Sequence, residues 1–219
     1  MTGTARSAAA EALATFLFVF VIVAAVNNAG GLTPIVIGFA LMSLIFATGH
    51  ISGGHLNPVV SLAALMRGVI SGGEFIAYVI AQFVGGVLGA LLASTIWPAP
   101  EAGPVQIEVG PAFLVEAIVT FVLVYVILNV ATSKDHPDNS FYGLAIGSTI
   151  VVGAAAAGPV SGGGFNPAVA LGLGFSGQFD WANMWLYFLA PLVGGVLGAL
   201  AFRLLNSDDV IQRQKRVAA

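Results

Sequence analysis

The stretch "SGGGFNPAVAL", residues 161–171, decides how this chain is read. It sets three glycines, an asparagine and a proline where an apolar run would otherwise continue. Asn favours the N-cap of a helix and Pro its first position, because the fixed φ of Pro suits a helix start and its missing N–H is not needed there. Asn166-Pro167 therefore begins a short helix, over about 167–176, with glycine-rich extended backbone leading into it. An earlier copy, "SGGHLNP" at 52–58, predicts a matching start at Asn57-Pro58 and a helix over 58–67.

Around these two interruptions the chain is apolar. Of 219 residues, 58% are hydrophobic and 8% charged, against about a quarter charged in soluble domains. This is an integral membrane protein. Its length suits one unit, a domain over 1–206 followed by a cytoplasmic tail, 207–219, read as a solvated end. The net charge of −3 favours neither nucleic acid nor an anionic surface, so the expected partner is the lipid bilayer. Cysteine is absent, and His50, His55 and His136 lack metal-ligand spacing. No metal or cofactor is expected.

A bilayer crossing takes about 20 apolar residues. Six runs qualify, at about 8–26, 34–50, 74–95, 112–131, 140–157 and 182–204. The first could pass for a cleaved leader, but it has a twin later in the chain and is read as an uncleaved span. With six spans, all seven basic residues fall on one side: Arg6, Arg67, Lys134, Arg203, Arg213, Lys215 and Arg216. The positive-inside rule places both termini in the cytoplasm, and the plasma (inner) membrane is the expected location.

The chain is a duplication. "VGGVLGAL" at 84–91 recurs letter for letter at 193–200, and "SGGHLNP" at 52 returns as "SGGGFNP" at 161, both at an offset of 109 residues. "EALATF" from Glu11 matches "EAIVTF" from Glu116. Repeat one covers about 8–95 and repeat two about 112–204. Three spans per half require the halves to be inserted upside down, with a pseudo-two-fold axis in the membrane plane and the functional site where they meet. The fold class is all-α: six transmembrane helices and two re-entrant half-helices in an inverted three-span repeat.

Irregular backbone at membrane depth survives only when buried in protein or lining a wet cavity. The segments containing His50, Gly53, Gly54 and His55, and Gly162 and Gly164, would line such a cavity with bare carbonyls. Glu11 and Glu116 are read as acceptors for the amides of these loops. Each half-helix start carries roughly half a positive charge. Two of them meeting at Asn57, Pro58, Val59 and Asn166, Pro167, Ala168 would repel cations while the Asn amides donate to the oxygen of a water or hydroxyl. Such a site filters for neutral hydrogen-bonding solutes.

The paired boxes "HLNPVV" and "GFNPAVAL", with a carboxylate in spans one and four, resemble those of the aquaporin and aquaglyceroporin family. The resemblance covers the chain short of its charged tail. It implies a six-helix bundle with one pore per subunit, a homotetramer, and water and small uncharged solutes as cargo. Gly85/Gly89 and Gly194/Gly198 fit close helix packing. Two departures stand out. The first box reads Asn-Pro-Val. The second lacks the arginine that typical members carry three residues after the Asn; Val169 stands there. The four filter positions that the resemblance implies are Ile37, Ala154, Gly163 and Val169, where water-selective members place an aromatic, a histidine and the arginine. The set here predicts a wide apolar constriction, passing glycerol-like polyols or metalloid hydroxides such as arsenous acid. A bacterial branch associated with arsenic resistance is similar in having a small apolar residue there. A water channel with a relaxed filter is the alternative. A coupled inverted-repeat transporter would need a protonatable midplane site beyond the two glutamates, and no catalytic motif in the spans points to an enzyme.

Overall fold

The computed structural model describes residues 3–209, and all the regular structure there is helical. Six long helices have the length and apolarity of membrane spans: α1 (Gly3–Asn28), α2 (Thr33–Ser52), α4 (Gly72–Ser94), α5 (Val109–Thr132), α6 (Tyr142–Ser161) and α8 (Met184–Leu205). Two short ones, α3 (Pro58–Arg67) and α7 (Pro167–Phe175), follow the Asn-Pro pairs. The first half-helix has its expected bounds; the second ends one residue early.

Glycine governs how closely the spans approach. A β-carbon on Gly85 or Gly89 of α4 would collide with the carbonyl oxygens of Ala12 and Phe16 in α1. One on Gly194 of α8 would collide with the Ala117 carbonyl in α5, and one on Gly198 would lie 2.7 Å from that of Phe121. Between halves, α2 and α6 meet at Gly38 and Gly147, each 2.6 Å from the other's carbonyl oxygen if given a β-carbon. Those two residues are themselves 109 apart, so this contact sits on the pseudo-two-fold axis. Without a strong hydrophobic drive between helices in lipid, such small-residue contacts are what allow backbones to pack.

The valine of the first box has its own accommodation. A β-carbon on Gly195 would run into Cγ1 of Val59. Gly195→Ala is therefore expected to lower stability by about 1–3 kcal/mol through overpacking. Adding Val59→Ala should recover most of that loss in a detergent thermal-unfolding assay. No recovery would mean that the clash is not the cause.

Two expectations about segment ends need revision. Residues expected to be extended remain helical: α2 continues to Ser52 and α6 to Ser161, through Pro159 in its last turn. Both stop at a left-handed glycine, Gly53 (φ 94°) and Gly162 (φ 85°), whose N–H bonds back to Gly49 and Gly158. Left-handed glycine is a common helix stop, and Pro159 is tolerated because only a few residues follow it.

The tail is not simply solvated at its start. Asp209 is buried, and its carboxylate and backbone oxygen accept from both terminal nitrogens of Arg67 at 2.7 and 2.6 Å. Arg67 also donates to Thr132 and lies over the Phe202 ring, 4.9 Å from its centroid. Asp209 also accepts from the Lys134 backbone, while Asp208 pairs with the Lys134 ammonium at 2.7 Å. The ends of α3, α5 and α8 are thus joined on one face. The rest of the tail, with Arg213, Lys215 and Arg216, lies outside the described residues. Burial pushes the Asp209 carboxyl up, but hydrogen bonds from Arg67, Ser133 and Lys134 hold it below the usual carboxylate range. A depressed carboxyl stabilises the fold above its unfolded value of about 4 and loses that contribution as pH falls through its folded value. Asp209→Asn should lower the thermal midpoint at neutral pH and flatten its decline in acid. A midpoint unchanged at pH 7 would contradict this.

Candidate functional site

Each re-entrant loop hangs from one buried carboxylate. In the first, Glu11 accepts from Ser52 Oγ (2.6 Å) and from the backbone amides of His55 (2.9 Å) and Leu56 (2.7 Å). In the second, Glu116 accepts from Ser161 Oγ (2.7 Å) and from the amides of Gly164 (2.8 Å) and Phe165 (2.6 Å). Both glutamates are fully buried. Tyr78 and Tyr187, also 109 apart, donate to the carbonyls of Ser52 and Ser161. These serines and tyrosines were not picked out from sequence, though recurrence at the repeat offset marks all four.

The residue before each Asn is twisted into the left-handed region, Leu56 at φ 51° and Phe165 at φ 50°. Such a conformation is costly for a side chain with a β-carbon. Here it lets the amide reach the glutamate while the carbonyl meets the opposite loop. Asn57 Nδ2 donates to the Phe165 carbonyl (3.0 Å), and Asn166 Nδ2 donates to that of Leu56 (2.7 Å). The Oδ1 of each Asn caps its own half-helix, accepting from Val59 and from Ala168, both at 2.9 Å. One Nδ2 hydrogen of each Asn is left over. The two helix starts are thus clasped together, with their positive ends and two spare amide donors at one place.

Asn57 and Asn166 border a cavity of about 840 Å³. At one end it is lined by the α1–α2 turn and by Gly103, Val105 and Gln178; at the other by His136, Asn139 and Tyr142. The cavity therefore runs the length of the spans. Ile37, Ala154, Gly163 and Val169 all line it, as do His50, Gly53, Gly54, His55, Gly162 and Gly164. Val169 is almost buried, at 2% exposure, and no charged side chain comes from the four filter positions. The other four residues of the expected central set face elsewhere. Pro58, Val59 and Pro167 line a groove between α4 and α8, and Ala168 is buried with its carbonyl against Gly86. A helix start exposes its N-cap, while the following turn packs outward.

The two halves differ chemically beside the clasp. Gln82 Nε2 donates one hydrogen to Glu11 (2.8 Å) and one to Ser61 Oγ (2.9 Å). Ser61 is then free to donate to His55 Nδ1, 3.1 Å away. In the tautomer where Ser61 donates, the imidazole carries its hydrogen on Nε2 and gives the first loop a donor. At the same offset, the second half has Gly164, Ala170 and Pro191 in place of His55, Ser61 and Gln82.

The docking of the loop before α5 was not foreseen either. Val105 donates its N–H to the Gln178 carbonyl at 2.9 Å, which folds the connection over the cavity mouth beside Phe179. The turn residues of that connection marked a loop without indicating where it would dock.

The family described as Major intrinsic protein matches residues 2–202. Glycerol uptake facilitator protein-like 6 of Lactiplantibacillus plantarum is 37% identical, over 93% of this chain and 100% of that protein. Aquaporin-4 of Mus musculus is 32% identical over 94% of this chain and 68% of its own length. The X-ray structure of the aquaglyceroporin from Plasmodium falciparum has the same fold, with a TM-score of 0.77 at 23% identity. It matches 91% of this chain and 95% of that one.

Proposed function

The chain belongs to the major intrinsic protein family, whose members are channels and not enzymes, and we propose that its pore admits glycerol-like polyols beside water. It is a passive multi-pass membrane channel for water and small solutes. The wider cargo rests on one observation: Ile37, Ala154, Gly163 and Val169 border a single cavity and bring to it neither charge nor side-chain donor. An apolar wall cannot strongly reject a solute that merely fits. Uncharged hydroxides such as arsenous acid are the second cargo class in this reading. In it, Asn57 and Asn166 turn each passing oxygen and, with the two helix starts, repel cations. Glu11 and Glu116 hold the loops in place.

The same reading puts both termini in the cytoplasm, on the strength of the basic residues gathered on one face, and makes the working unit a homotetramer in the plasma membrane. In proteoliposomes, solute flux should rise in proportion to the gradient and ignore an imposed proton gradient. Saturation or proton coupling would favour a transporter instead.

A further inference from the structure

On the side of the molecule opposite the α2–α6 contact, α4 and α8 do not pack along their length; Phe83 and Phe188 bridge them as stacked rings 5.7 Å apart. The gap is a groove of about 630 Å³ whose lining is wholly apolar. Phe75, Val79 and Phe83 form one wall and Met184, Phe188 and Leu192 the other, with Pro58 and Pro167 between them. Each α4 residue is matched by one on α8 at the repeat offset of 109, and so are the two prolines. The groove therefore straddles the pseudo-two-fold axis. In an inverted repeat that axis lies in the membrane plane, so the groove is at the depth of the bilayer centre.

Its rim is open: Trp185 and Leu189 are 51% and 45% exposed. Water would find no hydrogen-bond partner there, and an empty groove would forfeit its dispersion contacts. The surrounding solvent at this depth is hydrocarbon. We propose that the groove is an acyl-chain site in which the ends of phospholipid tails from the two leaflets meet over Pro58 and Pro167. The half-helices are then clasped by asparagines on the pore side and packed by lipid behind. This rests on the reading that α4 and α8 cross the bilayer.

Bromine on a lipid chain quenches a tryptophan it touches, so the site can be probed in the full chain. With Trp97, Trp181 and Trp185 replaced by Phe, a single reporter is placed in the groove (Phe188→Trp) or on the outer face of α4 (Ile80→Trp). Each is reconstituted in phosphatidylcholine vesicles carrying brominated chains. The expected result is quenching at 188 at least as strong as at 80, strongest for chains brominated near the methyl end. Quenching at 80 with none at 188 overturns the proposal and points to a second copy of the chain in the groove. No quenching at either position overturns the membrane-crossing reading itself. Should the 188 variant not fold, native Trp185 on the rim, left as the only tryptophan, gives the same test without altering the walls.

Discussion

Glu116→Gln is expected to abolish flux and leave little folded protein. The glutamate oxygens take three donors, from Ser161 Oγ and the amides of Gly164 and Phe165. A glutamine offers one oxygen and turns an NH₂ toward the rest. Ser161 can rotate to accept, but a buried backbone N–H is then left facing a donor, whichever way the amide lies. An unpaired buried donor costs about 1–3 kcal/mol, and a lost charge-assisted bond about 1.5–3 kcal/mol. Together they reach a large fraction of the 5–15 kcal/mol by which folds are ordinarily stable. Glu11→Gln should do at least as much harm, since Gln82 also donates to Glu11. Size-exclusion profiles and vesicle flux of the purified variants check this. A Glu116→Gln protein with wild-type melting and flux would show that the carboxylate does not hold the loop.

The second large effect is on cargo. Val169→Arg should lower glycerol flux by roughly tenfold or more, the scale on which a change of steric fit discriminates in an apolar pocket, and water flux by less. The backbone at 169 is held by the Asn166 cap, so the substitution need not disturb the half-helix. Ala154 and Gly163 line the same cavity and leave space for a long side chain. The guanidinium would narrow the passage and add a fixed positive charge with five donors. Water and glycerol rates measured on one preparation decide the matter. Equal losses of both would mean that residue 169 blocks without selecting, and unchanged rates of both would remove it from the filter.

The arrangement of helices was readable because it follows from apolar length, the Asn-Pro starts and the offset of 109 residues. The first half-helix could be bounded to the residue, since Asn57 and Gly68 are its two caps. What could not be read was set by contacts distant in sequence. The fifth apolar run ends at about 157, yet α6 continues to the left-handed Gly162, which sets the stop. Asp209 looked like part of a charged tail because its partner, Arg67, is 142 residues away. The outward turn of Pro58 and Val59 depends on Gly195 and on the divergence of α4 from α8. Leu56 and Phe165 gave no sign of their left-handed backbone, because that conformation is imposed by the glutamate on one side and the facing asparagine on the other.

The wide apolar filter is tested most directly by stopped-flow light scattering on proteoliposomes, with water and glycerol gradients applied to the same vesicles. Fast shrinkage in an impermeant gradient, followed by re-swelling far faster than empty vesicles when glycerol is the solute, is the predicted result. Fast water movement with glycerol entry no faster than in empty vesicles would contradict it, and the constriction would then lie at residues other than Ile37, Ala154, Gly163 and Val169.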